Sequence, residues 1–164
     1  MVVINDILLC MLHYIIYQST PTDDVDKELL DSITTESMKW NAAHGITGIL
    51  IHHDNRYMQY IEGNEEDIVE VFEKISRDSR HQKITTEVRG YTNERTFPGW
   101  SMGSWMITEH NAFNLKVIEE LNRYLSDPIN RELTSAKYIG MMKEILEMWI
   151  DHDRDHAEKL KTSS

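Results

Sequence analysis

The order of strand-like and helix-like segments is the feature that most restricts the fold of this chain. Several short stretches are rich in β-branched and aromatic residues, a composition that favours strands. The pair Asp54–Asn55 between two of these stretches is a tight-turn signal, so we expect a hairpin there. Five strands are predicted in all, at 9–18, 44–53, 56–63, 83–91 and 99–107.

Helical periodicity fills the two longer gaps between these strands. The first predicted helix runs from about Thr22 or Asp23, the candidate N-cap residues, to Ala43. Its apolar face carries Val25, Leu29, Ile33 and Trp40. The second spans 64–81, opens with acidic residues, and has an inner stripe of Ile68, Val71, Phe72 and Ile75. The order strand, helix, strand, strand, helix, strand predicts a ferredoxin-like α+β sandwich, a five-stranded mixed sheet with two helices on one face.

A different pattern begins at about residue 107. Two helical segments are predicted, at 112–127 and 131–160, and together they are too small for a second enzyme domain. We therefore expect one domain at 9–106 and a C-terminal helical extension at 107–164 that acts as a cap, an oligomer contact or an output contact.

The overall charge and the lone cysteine restrict the function classes. A net charge of −11 argues against a general nucleic-acid or anionic-membrane binder. The apolar run 7–17 is too short for a membrane span and lacks the features of a signal peptide. Cys10 cannot form a disulfide within the chain, which favours a cytoplasmic setting.

Several polar side chains converge on the space between the two predicted helices and the sheet. Tyr17 and Ser19 share one strand face, and Gln59 is a polar amide in the middle of an apolar strand. Residues spaced by four on the helices add Ile33, Ser37 and Asn41 on one side and Lys74 and Asp78, beside Ile75, on the other. Such a slot could hold a flat ring between two isoleucines. The alternative is an ordinary core in which each polar group is satisfied locally.

Five short motifs in this order resemble the BLUF family of blue-light sensors that use flavin. They are "YQS" at 17–19, "NAAHGITGIL" at 41–50, "YMQYIEG" at 57–63, "DSRH" at 78–81 and "FPGWSMGSW" at 97–105. The resemblance covers about residues 9–106. It implies a non-covalently bound flavin, FAD or else FMN, with its ring between the two helices.

The resemblance also implies a role for each matching residue. Tyr17 would give an electron and a proton to the excited flavin, and Gln59 would lie beside the flavin N5 and O4 atoms. Asn41 would hold the O4/N3 edge, Ile33 and Ile75 would flank the ring, and Lys74 and Asp78 would meet the O2/N3 edge. Trp100 and Met102 would sense the change on the last strand. Arg80 and His81, and less readily Lys39, could reach the flavin phosphates.

The implied function is a light-driven switch and not an enzyme. Its output would pass through the last strand and the C-terminal helices to a separate protein partner, with a homo-oligomer expected and no nucleic-acid or membrane contact. A competing hypothesis is a non-photoactive ferredoxin-like binding or oligomerisation module. His152 and His156, one helical turn apart, have no third metal ligand beside them and are read as a solvated face, so no metal is expected.

Overall fold

The computed structural model describes residues 11–53 and 55–107, together with positions 119, 140, 144 and 148; the side chains of 86 and 87 are not described. The chain divides into two compact units between Met106 and Ile107. Apart from those four positions, the predicted helices at 112–127 and 131–160 lie outside the described residues, as do Cys10, His152 and His156.

Five strands and two helices are found in the first unit within residues 11–53 and 55–106. In chain order they are β1 (Leu12–Pro21), α1 (Lys27–Ala43), β2 (Thr47–His53), β3 (Arg56–Gly63), α2 (Glu65–Ser76), β4 (His81–Thr92) and β5 (Gly103–Met106). The sheet order is β4-β1-β3-β2-β5, with β5 parallel to β2 and every other pair antiparallel. The predicted ferredoxin-like α+β fold with five strands is confirmed for these residues.

Both helices pack on the same face of the sheet. Leu30 of α1 and Ile68 of α2 are buried in one apolar core with Ile15 and Ile61, the inward residues of the central strands. The opposite face also holds buried apolar side chains, among them Ile16. Because successive strand residues alternate between faces, the central strands are apolar on both sides, as the continuous apolar runs of the sequence require.

The register of the central strands brings the key polar residues together. Tyr17 of β1 lies directly opposite Gln59 of β3, and Gln59 lies opposite Leu50 of β2. Directly opposed residues point to the same face of an antiparallel pair. The phenol and the amide therefore share the helix-covered face, at the centre of the sheet.

The start of α1 differs from the prediction. The N-cap residue is Asp26, whose Oδ1 accepts a hydrogen bond from the Leu29 amide at 2.8 Å, and not Thr22 or Asp23. Strand β1 continues to Pro21, and the amide of Thr22 donates to the carbonyl of Arg80 at 3.1 Å. Residues placed in a turn by sequence thus extend the strand, because a distant segment supplies their hydrogen-bond partner.

The end of α2 was predicted too late. The helix stops at Ser76, where the Arg77 and Asp78 amides donate to the carbonyls of Lys74 and Ile75 in a tightened last turn. Asp78 therefore belongs to the loop before β4 and not to the helix. At the end of α1 the chain turns through Gly45, whose φ of 60° is the left-handed conformation common after a helix.

Within residues 11–53 and 55–107, no helix combines the length and the apolar character needed to cross a membrane. The same residues contain no group of three or more side chains placed to hold a metal ion.

Candidate functional site

A cavity of about 310 Å³ lies between the two helices and the sheet. Its volume is near the lower end of the range of ~300–1,000 Å³ found for ligand pockets. Ile33 and Ser37 of α1 and Ile75 of α2 lie on its walls, and Tyr17 and Gln59 lie on the sheet beneath. The remaining lining residues are Glu36, Trp40, Asn41, Leu50, Tyr57, Ile61, Val71, Lys74, Arg77, Asp78, Arg80 and His81.

A short chain of hydrogen bonds joins the strands at the floor of the cavity. The Tyr17 hydroxyl donates to Oε1 of Gln59, and Nε2 of Gln59 donates to the Met102 sulfur at 3.3 Å. A thioether can only accept, so the amino end of the amide must face Met102 and the carbonyl end must face Tyr17. All three side chains are buried, each at most 5 % exposed. The contact with Met102 therefore fixes the amide orientation, and the Tyr17 hydroxyl, which can donate or accept, donates to the carbonyl end.

The Tyr17 phenol is protonated at neutral pH. Burial raises its pKa far above the ordinary value of 10.0, and the charge of Asp78 and the nearby Tyr57 raise it further. A neutral phenol can act as a hydrogen-bond donor, and it can lose an electron only if its proton also leaves or is shared. Gln59 Oε1 is the acceptor already in place for that proton.

Asp78 and Arg80 form a bidentate pair at the cavity margin. The Arg80 Nε donates to Asp78 Oδ1 at 2.9 Å, and Nη2 donates to Oδ2. Arg80 Nη1 also reaches Glu36 Oε2 of α1 at 2.8 Å, which links the loop before β4 to the first helix. The hydrogen bonds from Arg80 lower the pKa of Asp78, so this carboxylate is charged at neutral pH.

His81 is held in one tautomer between β1 and α2. Its Nε2 lies 2.9 Å from the carbonyl oxygen of Ile75, so Nε2 carries the proton, and Nδ1 accepts from the Ser19 hydroxyl at 2.8 Å. Burial lowers the pKa of His81, which keeps the ring neutral. This contact explains why Ser19 shares a face with Tyr17: its hydroxyl orients a histidine of the cavity wall.

Lys74 and Trp40 meet across the space between the two helices. The Lys74 ammonium lies 3.5 Å from the centroid of the Trp40 ring and 3.0 Å from Oε1 of Glu70. A cation over an indole face is an attractive arrangement. Both residues line the cavity. Lys39, which was predicted as a weaker phosphate contact, is exposed and is not among the lining residues.

Asn41 connects α1 to the segment that leads into β5. Its Nδ2 donates to the carbonyl of Ser101 at 2.6 Å, and the residue is 2 % exposed. Asn41 also lines the cavity, as the predicted contact with the ring edge requires.

Met102 and Trp100, both predicted to sense the photoreaction, occupy different places. The Met102 sulfur contacts the Gln59 amide. The Trp100 ring lies against the backbone of β5, where a Cβ atom built on Gly103 would come within 2.3 Å of it. Gly103 is therefore needed for this packing.

The cavity residues fit a flavin. Aliphatic side chains on two facing helices suit a flat apolar ring, and the floor offers an amide with donor and acceptor ends. Two lining residues also carry buried polar atoms without a partner among the described residues, the Tyr57 hydroxyl and the Trp40 Nε1. Buried polar atoms in folded proteins are normally paired, and exceptions concentrate at sites that bind or react.

Sequence reasoning missed Glu62, which is fully buried on the other face of β3. Its Oε1 accepts from the Phe97 amide at 2.8 Å and the Thr47 hydroxyl at 2.9 Å. Its Oε2 accepts from the Thr96 amide at 2.8 Å and the Tyr60 hydroxyl at 3.0 Å. The signal in the sequence was a carboxylate directly after an apolar strand run, with nothing local to pair it.

The structure has the ferredoxin-like sheet and the buried phenol–carboxamide pair under a two-helix cavity that the resemblance to flavin-binding light sensors implies, and comparisons with known proteins agree. The sequence model of the family described as "Sensors of blue-light using FAD" matches residues 12–103, over half of the chain. The chain belongs to this BLUF family, whose members bind flavin and sense blue light.

Two curated relatives are light-regulated proteins. The chain is 31 % identical over 122 residues to photoactivated adenylate cyclase subunit beta of Euglena gracilis, a match that covers 74 % of this chain and 13 % of the relative. It is 29 % identical over 87 residues to the blue light- and temperature-regulated antirepressor BluF of Escherichia coli K12, covering 53 % of this chain and 22 % of that protein. The chain thus spans a small part of the length of these relatives.

Solved structures show the same fold. The photo-activated state of BlsA is 26 % identical, with a TM-score of 0.66 and coverage of 82 % of this chain and 94 % of that one. The dark state of the BLUF protein BlrB is 25 % identical, with a TM-score of 0.63 and coverage of 84 % and 96 %. Klebsiella pneumoniae BlrP1 with FMN and cyclic diGMP is 28 % identical, with a TM-score of 0.58 and coverage of 79 % and 34 %.

Proposed function

We propose that this protein signals blue light by a reversible change in the hydrogen bonds of Gln59, driven by oxidation and re-reduction of Tyr17. The observation that carries the proposal is the buried line Tyr17–Gln59–Met102 at the floor of the cavity. A bound flavin supplies the blue-light absorption and, when excited, the electron acceptor. Ile33 and Ile75 would hold its ring, with Asn41, Lys74 and Asp78 near its polar edge and Arg80 and His81 near its phosphates.

Tyr17 is suited to donate because its phenol is neutral and already hydrogen-bonded. Oxidation of a phenol makes its proton strongly acidic, and Gln59 Oε1 is in place to accept that proton or its hydrogen bond. Return of the electron and the proton to Tyr17 restores the phenol, so no covalent change persists in the chain.

Gln59 can store the signal because a carboxamide has a donor end and an acceptor end of nearly equal shape. Rotation or tautomerisation reverses the pattern it presents to its neighbours without changing its charge. In the observed arrangement Nε2 donates to Met102. After reversal the sulfur would meet an acceptor, so Met102 favours return to the observed arrangement.

The consequence of light is a change of conformation and not substrate turnover. Met102 belongs to the segment entering β5, which makes β5 the route by which the Gln59 change leaves the cavity. We propose that the signal continues through residues 107–164 to a separate protein or a second copy of the chain, in the cytoplasm, and that FAD is the cofactor. The cyclase and antirepressor relatives support a signalling output.

The substitution Tyr17→Phe tests the proposal directly. It removes only the hydroxyl, so the purified variant should still bind flavin and remain yellow but lose the light-induced red shift of the absorption bands. Wild-type protein should show that shift under blue light and reverse it in darkness. Spectra before and after illumination, with chromatography of the extracted cofactor, make the measurement. A normal shift in Tyr17→Phe, or a wild-type chain that takes up no flavin, would contradict the proposal.

A further inference from the structure

Glu62 anchors the segment that carries Met102. Its two oxygens accept four hydrogen bonds, and two of the donors are the consecutive backbone amides of Thr96 and Phe97. Six residues after Thr96 the same segment brings Met102 to Gln59, and Gln59 is only three residues before Glu62 on β3. Strand β3 therefore holds residues 96–102 at two points, one on each face of the sheet.

Other bonds support the first of these points. Arg95 donates to the carbonyl of Gly45 at 2.6 Å and to the Thr47 hydroxyl at 2.8 Å, and Thr47 itself donates to Glu62. Further along, the Gly48 amide donates to the carbonyl of Trp100 at 2.9 Å. The path from Glu62 to Met102 is thus a few residues long and is held to the sheet at Thr96, Phe97 and Trp100.

A carboxylate is the only common side chain of this size that can accept all four of these hydrogen bonds. Each oxygen of Glu62 accepts two hydrogen bonds. The amide of glutamine has the same shape, but whichever way it turned, its NH₂ group would face a backbone N–H, of Thr96 or of Phe97, that can only donate. Residues 96 and 97 would then have to move, and the Met102 end of the segment with them.

We propose that Glu62 is a positioning residue of the photoreaction: by fixing residues 96–97 it holds the Met102 sulfur against the Gln59 amide and so sets how fast the dark arrangement returns. The kinetic half of this inference, that Glu62 sets the rate of return to the dark arrangement, rests on the proposed function. The structural half, that Glu62 holds Met102 against Gln59, does not. Glu62 is not among the residues that line the cavity and makes no hydrogen bond to Tyr17, so in this proposal its influence passes through Met102.

A double-substitution cycle on the dark recovery rate tests the kinetic half. Met102→Leu removes the sulfur acceptor at nearly constant volume and should slow recovery about twofold to fivefold, the worth of one weak hydrogen bond. Glu62→Gln should slow it by a similar factor, and the double variant should be no slower than Met102→Leu alone. Recovery that is unchanged or faster in Glu62→Gln, or slowed by the same factor in both backgrounds, would overturn the proposal.

Thermal stability separates this role from a merely structural one. Glu62→Gln should lower the unfolding temperature equally in the wild-type and Met102→Leu backgrounds, whereas the kinetic effect should appear only in the former. Glu94→Gln is the matched control, because Glu94 lies exposed in the same loop and should change neither quantity. If Glu62→Gln does not fold, Tyr60→Phe removes one donor from the same carboxylate and should give a smaller effect with the same dependence on Met102.

The structural half is tested without light or flavin. The methyl resonance of Met102, assigned by its loss in Met102→Leu, should move in Glu62→Gln and stay in place in Glu94→Gln. An unmoved resonance in Glu62→Gln overturns the proposal whether or not the protein is photoactive. A wild-type chain without a light-induced shift would instead contradict the proposed function and leave this result standing.

Discussion

The two faces of β3 differ in how completely their buried polar groups are hydrogen-bonded. On the face away from the helices, each oxygen of Glu62 accepts two hydrogen bonds and the residue is 0 % exposed. On the helix-covered face, Tyr57 is 5 % exposed and its hydroxyl has no partner among the described residues, and His52 beside it has two unpaired ring nitrogens. The first region is built for stability, and the second retains polar groups that the fold itself does not use.

The largest effect that separates the two regions should come from Glu62→Ala. It removes the shared acceptor of four donors, two of them buried and two part-buried. At about 1 kcal/mol for each lost bond, the free energy of unfolding should fall by roughly 3–4 kcal/mol. Urea unfolding monitored by circular dichroism measures this. Glu94→Ala, in the exposed part of the same loop, should stay within about 0.5 kcal/mol of wild type. Equal losses in the two variants would mean that the Glu62 bonds contribute nothing special.

Acid pH should lower the free energy of unfolding through the buried histidines of the helix-covered face. Burial lowers the pKa of His52 and of His81 below 6.5, so both are neutral when folded and take up protons on unfolding as pH falls. Their contribution to stability is complete above pH 6.5 and is lost as pH falls through the interval between the unfolded and the folded pKa values, at up to about 1.4 kcal/mol per pH unit for each histidine.

The variant His52→Leu isolates one of these protons. We expect the loss of unfolding free energy between pH 7.5 and pH 5.5 to be smaller in His52→Leu than in wild type, because one proton fewer is taken up on unfolding. Urea unfolding at the two pH values measures the difference. An identical loss in both proteins would show that His52 is not buried in its neutral form.

The smallest effect, and the one with opposite signs in the two regions, should come from removing single hydroxyls. Tyr57→Phe deletes an unpartnered hydroxyl and should leave the flavin-free protein as stable as wild type or up to about 1 kcal/mol more stable. Tyr60→Phe makes the same change on the other face, where the hydroxyl bonds Glu62 and Thr96, and should cost about 1–2 kcal/mol. Thermal unfolding of the pair measures both, and a loss of stability in Tyr57→Phe would contradict the comparison.

Sequence reasoning succeeded where the pattern is local. Strand alternation put Tyr17, Gln59 and Tyr57 on one face, and the tight turn at Asp54–Asn55 gave the hairpin that the register of β2 and β3 confirms. Helical spacing put Ile33 on the cavity wall of α1. These features follow from periods of two and 3.6 residues, which the sequence displays directly.

It failed where the partner of a group lies far along the chain. The N-cap of α1 is Asp26 and not the predicted Thr22, because Thr22 pairs with Arg80. Asp78 lies in the loop after α2, where it binds Arg80, and not at the helix end. The bonds of Glu62 to Thr96 and Phe97 span more than thirty residues. No local pattern announces such contacts, because the burial that makes them necessary arises only after the strands are assembled.

The number of neighbouring strands determines which part of the sheet could change conformation when Gln59 rearranges. Strand β3 is flanked by β1 and β2, so its main chain is clamped along both borders, whereas β5 is attached to the sheet through β2 alone among the described strands. A rim strand peels at lower free energy than an inner one. Under the proposed function, a Gln59 rearrangement would leave the middle of the sheet rigid and loosen β5 at its border, so the conformational change would leave the cavity on the β5 side.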